Sequence, residues 1–135
     1  MRFHNEDGQA LVEFALVLPI LILLLGGIID FGWIFGNQIL ANNACRDTAR
    51  YTAVHYHEIT VAGDVNEVAV KTAAQTRIET ELPASFTNIN VDMTTPIIEN
   101  INLSLSADID LLTPILSTIL GQTYTIQTNY VMRVE

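Results

Sequence analysis

At 135 residues, half of them apolar, the chain has length for one small domain beside one long apolar element and too little for a second core. A net charge of -9 with only 6 Lys and Arg excludes nucleic acid as a partner, because neutralising a phosphate backbone takes clustered cations. The single cysteine, Cys45, excludes an internal disulfide and leaves the redox compartment unread.

The first predicted element is an apolar helix. Residues 14–29 carry no charge, and with their apolar flanks they reach the roughly 20 residues that cross a bilayer as a helix. Glu13 stands at the head of this run behind Ala10, Leu11 and Val12. An ionised Glu near hydrocarbon costs about 2 to 3 kcal/mol even on lenient insertion scales, so Glu13 asks for a compensating partner. The plainer reading makes it a marker of the headgroup boundary. Pro19 removes one intrahelical hydrogen bond and predicts a bend or local opening between Ala15 and Pro19. Gly32 and Gly36 have the spacing that lets helix backbones approach, with Gly26 and Gly27 earlier in the run; such pairs also serve only to reduce bulk. Asp30 ends the uncharged stretch and is placed at the far interface beside Trp33. A removable secretory signal fits poorly, since Gly26 and Gly27 are followed by Ile28, Ile29 and an acid. Asn42-Asn43-Ala44-Cys45 lies well beyond the apolar core and makes a poor lipoprotein signal. The span stays in the mature chain.

Beyond it, Ile39, Leu40, Asn43, Ala44, Asp47 and Ala49 alternate at near-helical period to about Tyr51, so the helix continues and turns amphipathic, suited to docking under a head. Cys45, among Ala44, Thr48 and Ala49, reads as a small packed residue, with an intersubunit bridge or a reactive thiol as the other readings. His55-Tyr56-His57-Glu58 offers metal donors, but zinc needs more ligands in fixed geometry and the remaining histidine, His4, lies at the other end; the stretch reads as a helix exit. Gly63-Asp64 opens a second helix, with Asp64 as cap, Glu67 three residues on, and Val65, Val68, Thr72, Ala73 and Thr76 at helical spacing up to Leu82 and Pro83. Two alternating segments follow, Ile89, Val91, Met93 and then Ile101, Leu103, Leu105, Ala107, Ile109, separated by a turn or edge irregularity around Thr94-Thr95-Pro96. Thr113-Pro114 starts a short apolar helix that Gly121 ends. Tyr124, Ile126, Thr128, Tyr130, Met132 and Val134 mark a third strand. Three strands with one apolar face need a helical cover, which gives an α+β head: a second helix, a three-stranded antiparallel sheet and a short helix.

No enzyme constellation and no cofactor motif is legible. There is no glycine-rich phosphate loop and no nucleophile with a base at a recognisable spacing, and Asp108 and Asp110 read as a solvated strand face rather than a catalytic pair or a calcium site.

The words Gly8-Gln9-Ala10-Leu11-Val12-Glu13-Phe14-Ala15-Leu16-Val17-Leu18-Pro19, Asp30-Phe31-Gly32 and Asn43-Ala44-Cys45-Arg46-Asp47-Thr48-Ala49-Arg50-Tyr51 resemble the N-terminus of the TadE-like pilins, the pseudopilin branch of the tight-adherence secretion and pilus system. The resemblance covers the first third of the chain. It implies a pilin-like plan with a leader over 1–8, a transmembrane helix over 9–36, an amphipathic continuation and exit loop over 37–62, and the α+β head over 63–135. It further implies cleavage between Gly8 and Gln9 by a prepilin peptidase, an integral-membrane aspartic enzyme. Other pilin or pseudopilin subunits and an inner-membrane assembly platform are the implied partners. The implied place is the bacterial inner membrane, head outside the cytoplasm, and then the pilus.

Such a cut would expose an ammonium on Gln9, one helical turn before Glu13. The two can pair within one chain or between neighbours, with an attraction of about 4 kcal/mol at about 4 Å and an effective dielectric near 20, much of it offset by desolvation. Assembly is thus expected to use Glu13, Pro19, Gly32 and Gly36. The leader departs from its family, which usually carries several basic residues there; this one has Arg2 against Glu6 and Asp7. With Arg46 and Arg50 beyond the span, the positive-inside rule lends no support, and orientation rests on the resemblance. The other functional reading is an unprocessed, single-pass anchored module that presents its head to a partner.

Overall fold

The structure is a computed structural model that describes residues 6–56, 58, 60–61, 64–97 and 100–134. A single α-helix, α1 (Glu6–His55, 50 residues), leads the chain and is about 75 Å long. A short antiparallel pair, β1 (Thr60–Val61) and β2 (Asp64–Val65), precedes α2 (Glu67–Glu81). Then come β3 (Phe86–Ile97), β4 (Asn100–Asp110), α3 (Pro114–Leu120) and β5 (Thr123–Arg133). The three long strands form one antiparallel sheet in the order β3-β4-β5. This is the α+β plan the sequence implies, with the small β1-β2 pair as an addition in the exit loop.

α1 passes Pro19 without interruption. The proline lacks the N–H that the Ala15 carbonyl would accept, so the expected local opening reduces to one missing bond in a continuous helix. The second half of α1 lies across the inner face of the sheet, antiparallel to β4. Cys45 Sγ donates to the Leu103 carbonyl at 3.6 Å, Gln38 Nε2 to the Gln127 carbonyl at 3.4 Å and Trp33 Nε1 to the Asp110 carbonyl at 3.1 Å. The β4–β5 connection therefore lies at the end of the head nearest the apolar span.

The face α1 turns to the sheet is made of small residues: Ala41, Ala44, Cys45, Thr48, Ala49, Thr52 and Ala53 are buried. Ile39 and Leu40, the bulky members of the same helical pattern, are 46% and 45% exposed. Small side chains let the helix axis approach the strands closely, and the sheet supplies the bulk through Ile101, Leu103, Leu105, Ile109 and Ile126, all buried. The alternation expected of β4 is complete, with every second residue buried from Ile101 to Ile109.

α2 corrects two expectations. Asp64 lies in β2, and the cap is Asn66, in extended conformation, whose side chain accepts from the Ala69 N–H at 3.1 Å. Gly63 lies outside the described residues. The inward face is Val70, Ala74 and Ile78, while Val68 is 76% exposed and Thr72 and Thr76 face outward. The hydroxyls of Thr72, Thr76 and Thr80 donate to the carbonyls four residues back, which satisfies them on the outer face without a tertiary partner. Lys71 Nζ, 2.8 Å from Asp92, ties α2 to β3 and holds the Asp92 carboxyl below its usual range. Both groups are exposed, so the pair orients more than it stabilises.

β3 is an edge strand with two register shifts. One spans Thr94 to Ile97, where the irregularity around Pro96 was expected. The other surrounds Asn88, whose φ of 51° is left-handed and suits Asn. The outer face of the sheet presents Asn90, Asp92, Ser104, Ser106, Gln127 and Asn129.

Cys45 is fully buried, and burial pushes its thiol up to about 11. Because the thiolate is the reactive form, a maleimide at pH 8 should modify the native chain on the order of 100-fold more slowly than the unfolded one. Equal rates in buffer and denaturant would contradict the packed position.

Candidate functional site

The residues expected to serve processing and assembly, with Gly26, Gly27 and Asp30, all lie on α1, and the structure divides them into two groups. The first group faces outward. Because α1 begins at Glu6, the Gly8–Gln9 bond lies within its first turns. Gln9 Nε2 donates to Glu13 Oε1 at 3.1 Å, and both side chains are exposed. So is nearly everything that follows: only 6% of the most apolar stretch of α1 is buried. A core helix of a soluble domain would be mostly covered, so this stretch is built for an apolar solvent or for partners.

Gly32 and Gly36 belong to this open group. A Cβ added at either would meet nothing within 4 Å. Around them Phe31 and Phe35 stack at 6.3 Å, and Ile28, Phe31, Phe35 and Ile39 form an exposed stripe at helical spacing on the side away from the sheet. Gly26 and Gly27 do something else. A Cβ on Gly26 would meet the Thr113 side chain at 3.6 Å, and one on Gly27 would reach Leu116 Cδ1 at 4.0 Å. The head already occupies that pair.

Asp30 is the residue whose partners sequence reasoning did not find. Its carboxylate is fully buried against the β4–α3 connection. Oδ1 accepts from the backbone N–H of Leu112 at 2.9 Å and of Thr113 at 3.0 Å, and Oδ2 accepts from the Thr113 hydroxyl. Trp33 also turns inward, through its bond to Asp110. The partners lie more than eighty positions along the chain, so no local pattern could pair them. One faint signal was present, in that Thr113 precedes Pro114 at a helix start and its hydroxyl makes no bond to its own helix.

Residues 8–50 match the family of TadE-like proteins. Over most of its N-terminal helix the chain is similar to TadE-like proteins. The TadE-like segment contains Gly8, Gln9, Glu13, Pro19, Asp30, Gly32 and Gly36, and it ends inside α1, so α2 and the sheet lie beyond it. No curated protein and no solved structure is significantly similar to the chain. The helix itself is long and apolar enough to serve as a single-pass membrane anchor.

Away from the TadE-like segment's open face, the titratable groups are engaged locally. His55 stacks on Tyr51 at 4.1 Å, and its Nδ1 lies 2.9 Å from the Tyr51 carbonyl; its Nε2 is 3.9 Å from Glu58. His57 lies outside the described residues. Arg77 sits 4.5 Å over the Tyr51 ring and 3.0 Å from Glu81. Asp108 accepts from Thr125 Oγ1 at 2.6 Å and Asn88 Nδ2 at 3.0 Å, which links all three strands and holds its carboxyl below the usual range.

Asp30→Ala should free the head's lower end from α1. It strands two buried N–H donors, each worth about 1 to 3 kcal/mol when left unpaired, so the variant should melt earlier in detergent and be cut faster near 111–113. Asp30→Asn keeps an acceptor and should lose less. Unchanged melting and proteolysis in Asp30→Ala would mean the carboxylate does not hold the head.

Proposed function

We propose that the chain is a minor pilin or pseudopilin of a tight-adherence system. It is cleaved after Gly8, held in the bacterial inner membrane with its head outside the cytoplasm, and assembled with other pilin subunits through α1, as part of a priming complex or filament tip. The observation that carries this reading is the length of the exposed apolar surface. From Leu11 to Ile39 that surface extends along roughly 42 Å of helix, against a hydrocarbon core of about 30 Å. A bilayer that covers the first part leaves Phe31, Phe35 and Ile39 outside it, opposite the head. An anchor needs no such surplus; a subunit that packs its helix against neighbours does. The open Gly32 and Gly36 in the same stripe support close backbone approach there.

The match to the TadE-like family beginning at Gly8 supports the processing site. Cleavage needs an extended backbone, and the bond lies in a helical turn, so that turn must unwind first. Glycine makes unwinding cheaper, being about 1 kcal/mol less favourable than Ala in a helix. Once cut, Gln9 would carry an ammonium within a turn of Glu13, whose present partner is the Gln9 amide. Contacts of Gly26 and Gly27 with Thr113 and Leu116, together with the Asp30 bonds, favour retention of the span in the mature chain.

In a host carrying the prepilin peptidase, the purified protein should begin at Gln9 by mass, and Gly8→Leu should keep the leader while remaining in the membrane. A wild-type chain that retains Met1 would favour an unprocessed anchored module instead.

Glu13→Ala should insert, be processed and keep its head, yet co-purify with partner pilins at least about tenfold less, because removing one side of a buried pair can cost several kcal/mol. Undiminished association would reduce Glu13 to a boundary marker.

A further inference from the structure

We infer that the β4–β5 connection, residues 111–122 with α3 at its centre, is a membrane-contacting tip: it rests in the interfacial layer of the same bilayer that α1 crosses, so the head is seated on the lipid rather than held clear of it. The inference rests on the reading of α1 as a membrane span and adds a second point of lipid contact.

Level is the first ground. α1 and β4 run antiparallel, so the contacts step downward together, from Cys45 with Leu103, through Trp33 with Asp110, to Asp30 with Leu112 and Thr113. The tip then reaches Gly26 and Gly27, which lie inside the uncharged run of α1. A span that starts at Gln9 and needs about 20 residues ends near Ile28, so α3 sits at the outer edge of the hydrocarbon.

Chemistry is the second. Asp110 is the last charged residue before the tip, and 111–122 carries none. Leu112, in the bend before α3, is 55% exposed and Ile119, on α3, is 68% exposed, a state that water does not favour. The hydroxyls are bonded inside the protein, as a low-dielectric setting demands: Thr113 donates to Asp30, and Ser117 and Thr118 donate to the Pro114 carbonyl at 3.0 and 2.7 Å. Asp30 is buried and saturated with donors, while Asp110, exposed at the upper rim of the tip, marks where the charged surface of the head begins. By contrast the outer sheet face, which lies higher, is lined by Asn, Asp, Ser and Gln. Apolar side chains with internally satisfied polar groups are what an interfacial segment needs.

The test uses the full chain in phosphatidylethanolamine–phosphatidylglycerol vesicles, with Cys45→Ala as background. An environment-sensitive fluorophore is placed in turn at Ile119→Cys, Leu16→Cys in the span and Asn129→Cys on the outer sheet face. Leu112→Cys gives a second reading of the tip should labelling at position 119 disturb α3. The expected result is blue-shifted emission at both tip positions, quenching by a doxyl lipid labelled near its headgroup at least about twice that at position 129, and protection from iodide. If Leu16→Cys is protected while both tip positions match Asn129→Cys, the tip does not touch lipid and the inference falls while the anchor stands. If Leu16→Cys is also exposed to iodide, the membrane reading of α1 falls, and this inference with it.

Discussion

α1 exposes an apolar surface along its first half and meets the sheet along its second without a break in the helix, and the small side chains Ala41, Ala44, Cys45, Thr48 and Ala49 set how the head can sit on it. A larger residue at any of these places would push the strands away, because the sheet already fills the space with Leu103, Leu105 and Ile109. The consequence is an inversion of the usual pattern. The bulky Ile39 and Leu40 stay outside, and the small side chains of α1 face the sheet.

Continuity of α1 also means that the head has no hinge within the helix, and Asp30 closes the other route to motion. A buried carboxylate is tolerable when its oxygens accept from well-placed donors, and here two backbone N–H groups and a hydroxyl converge on it from one loop. Trp33 adds its bond to Asp110 one turn away. Together they anchor the lower end of the head at the top of the apolar run, where competing water is scarce and such bonds are strongest.

The family match stops inside α1, and this boundary separates two kinds of surface. The helix carries Gly8, Glu13 and the outward apolar stripe. The sheet's outer face, polar and cross-linked through Asp108, lies beyond the matched residues. Asp108 bonds Asn88 and Thr125 on the two flanking strands, which supports a stable surface.

Periodicity and punctuation are local properties, and whatever depends on them was readable in the sequence: the apolar span, the alternation of β4, the short helix between Thr113-Pro114 and Gly121, and the irregularity near Pro96 in an edge strand. Gly8, Gln9, Glu13, Gly32 and Gly36 could be singled out because they form words along one stretch, and the structure keeps them on one helix. Facing was not. Val68 and Thr72 fit a helical period as well as Val70 and Ala74 do, and only contact with α1 and β3 decides which stripe is buried. The near-helical pattern from Ile39 to Ala49 did not say which members meet the sheet, and its close approach selects the alanines over Ile39 and Leu40. Asp30 is the sharpest case, since a lone acid after an apolar run has the same local signature whether it faces water or a loop more than eighty residues away. The energy that chooses between them comes from donors that only the tertiary structure brings together.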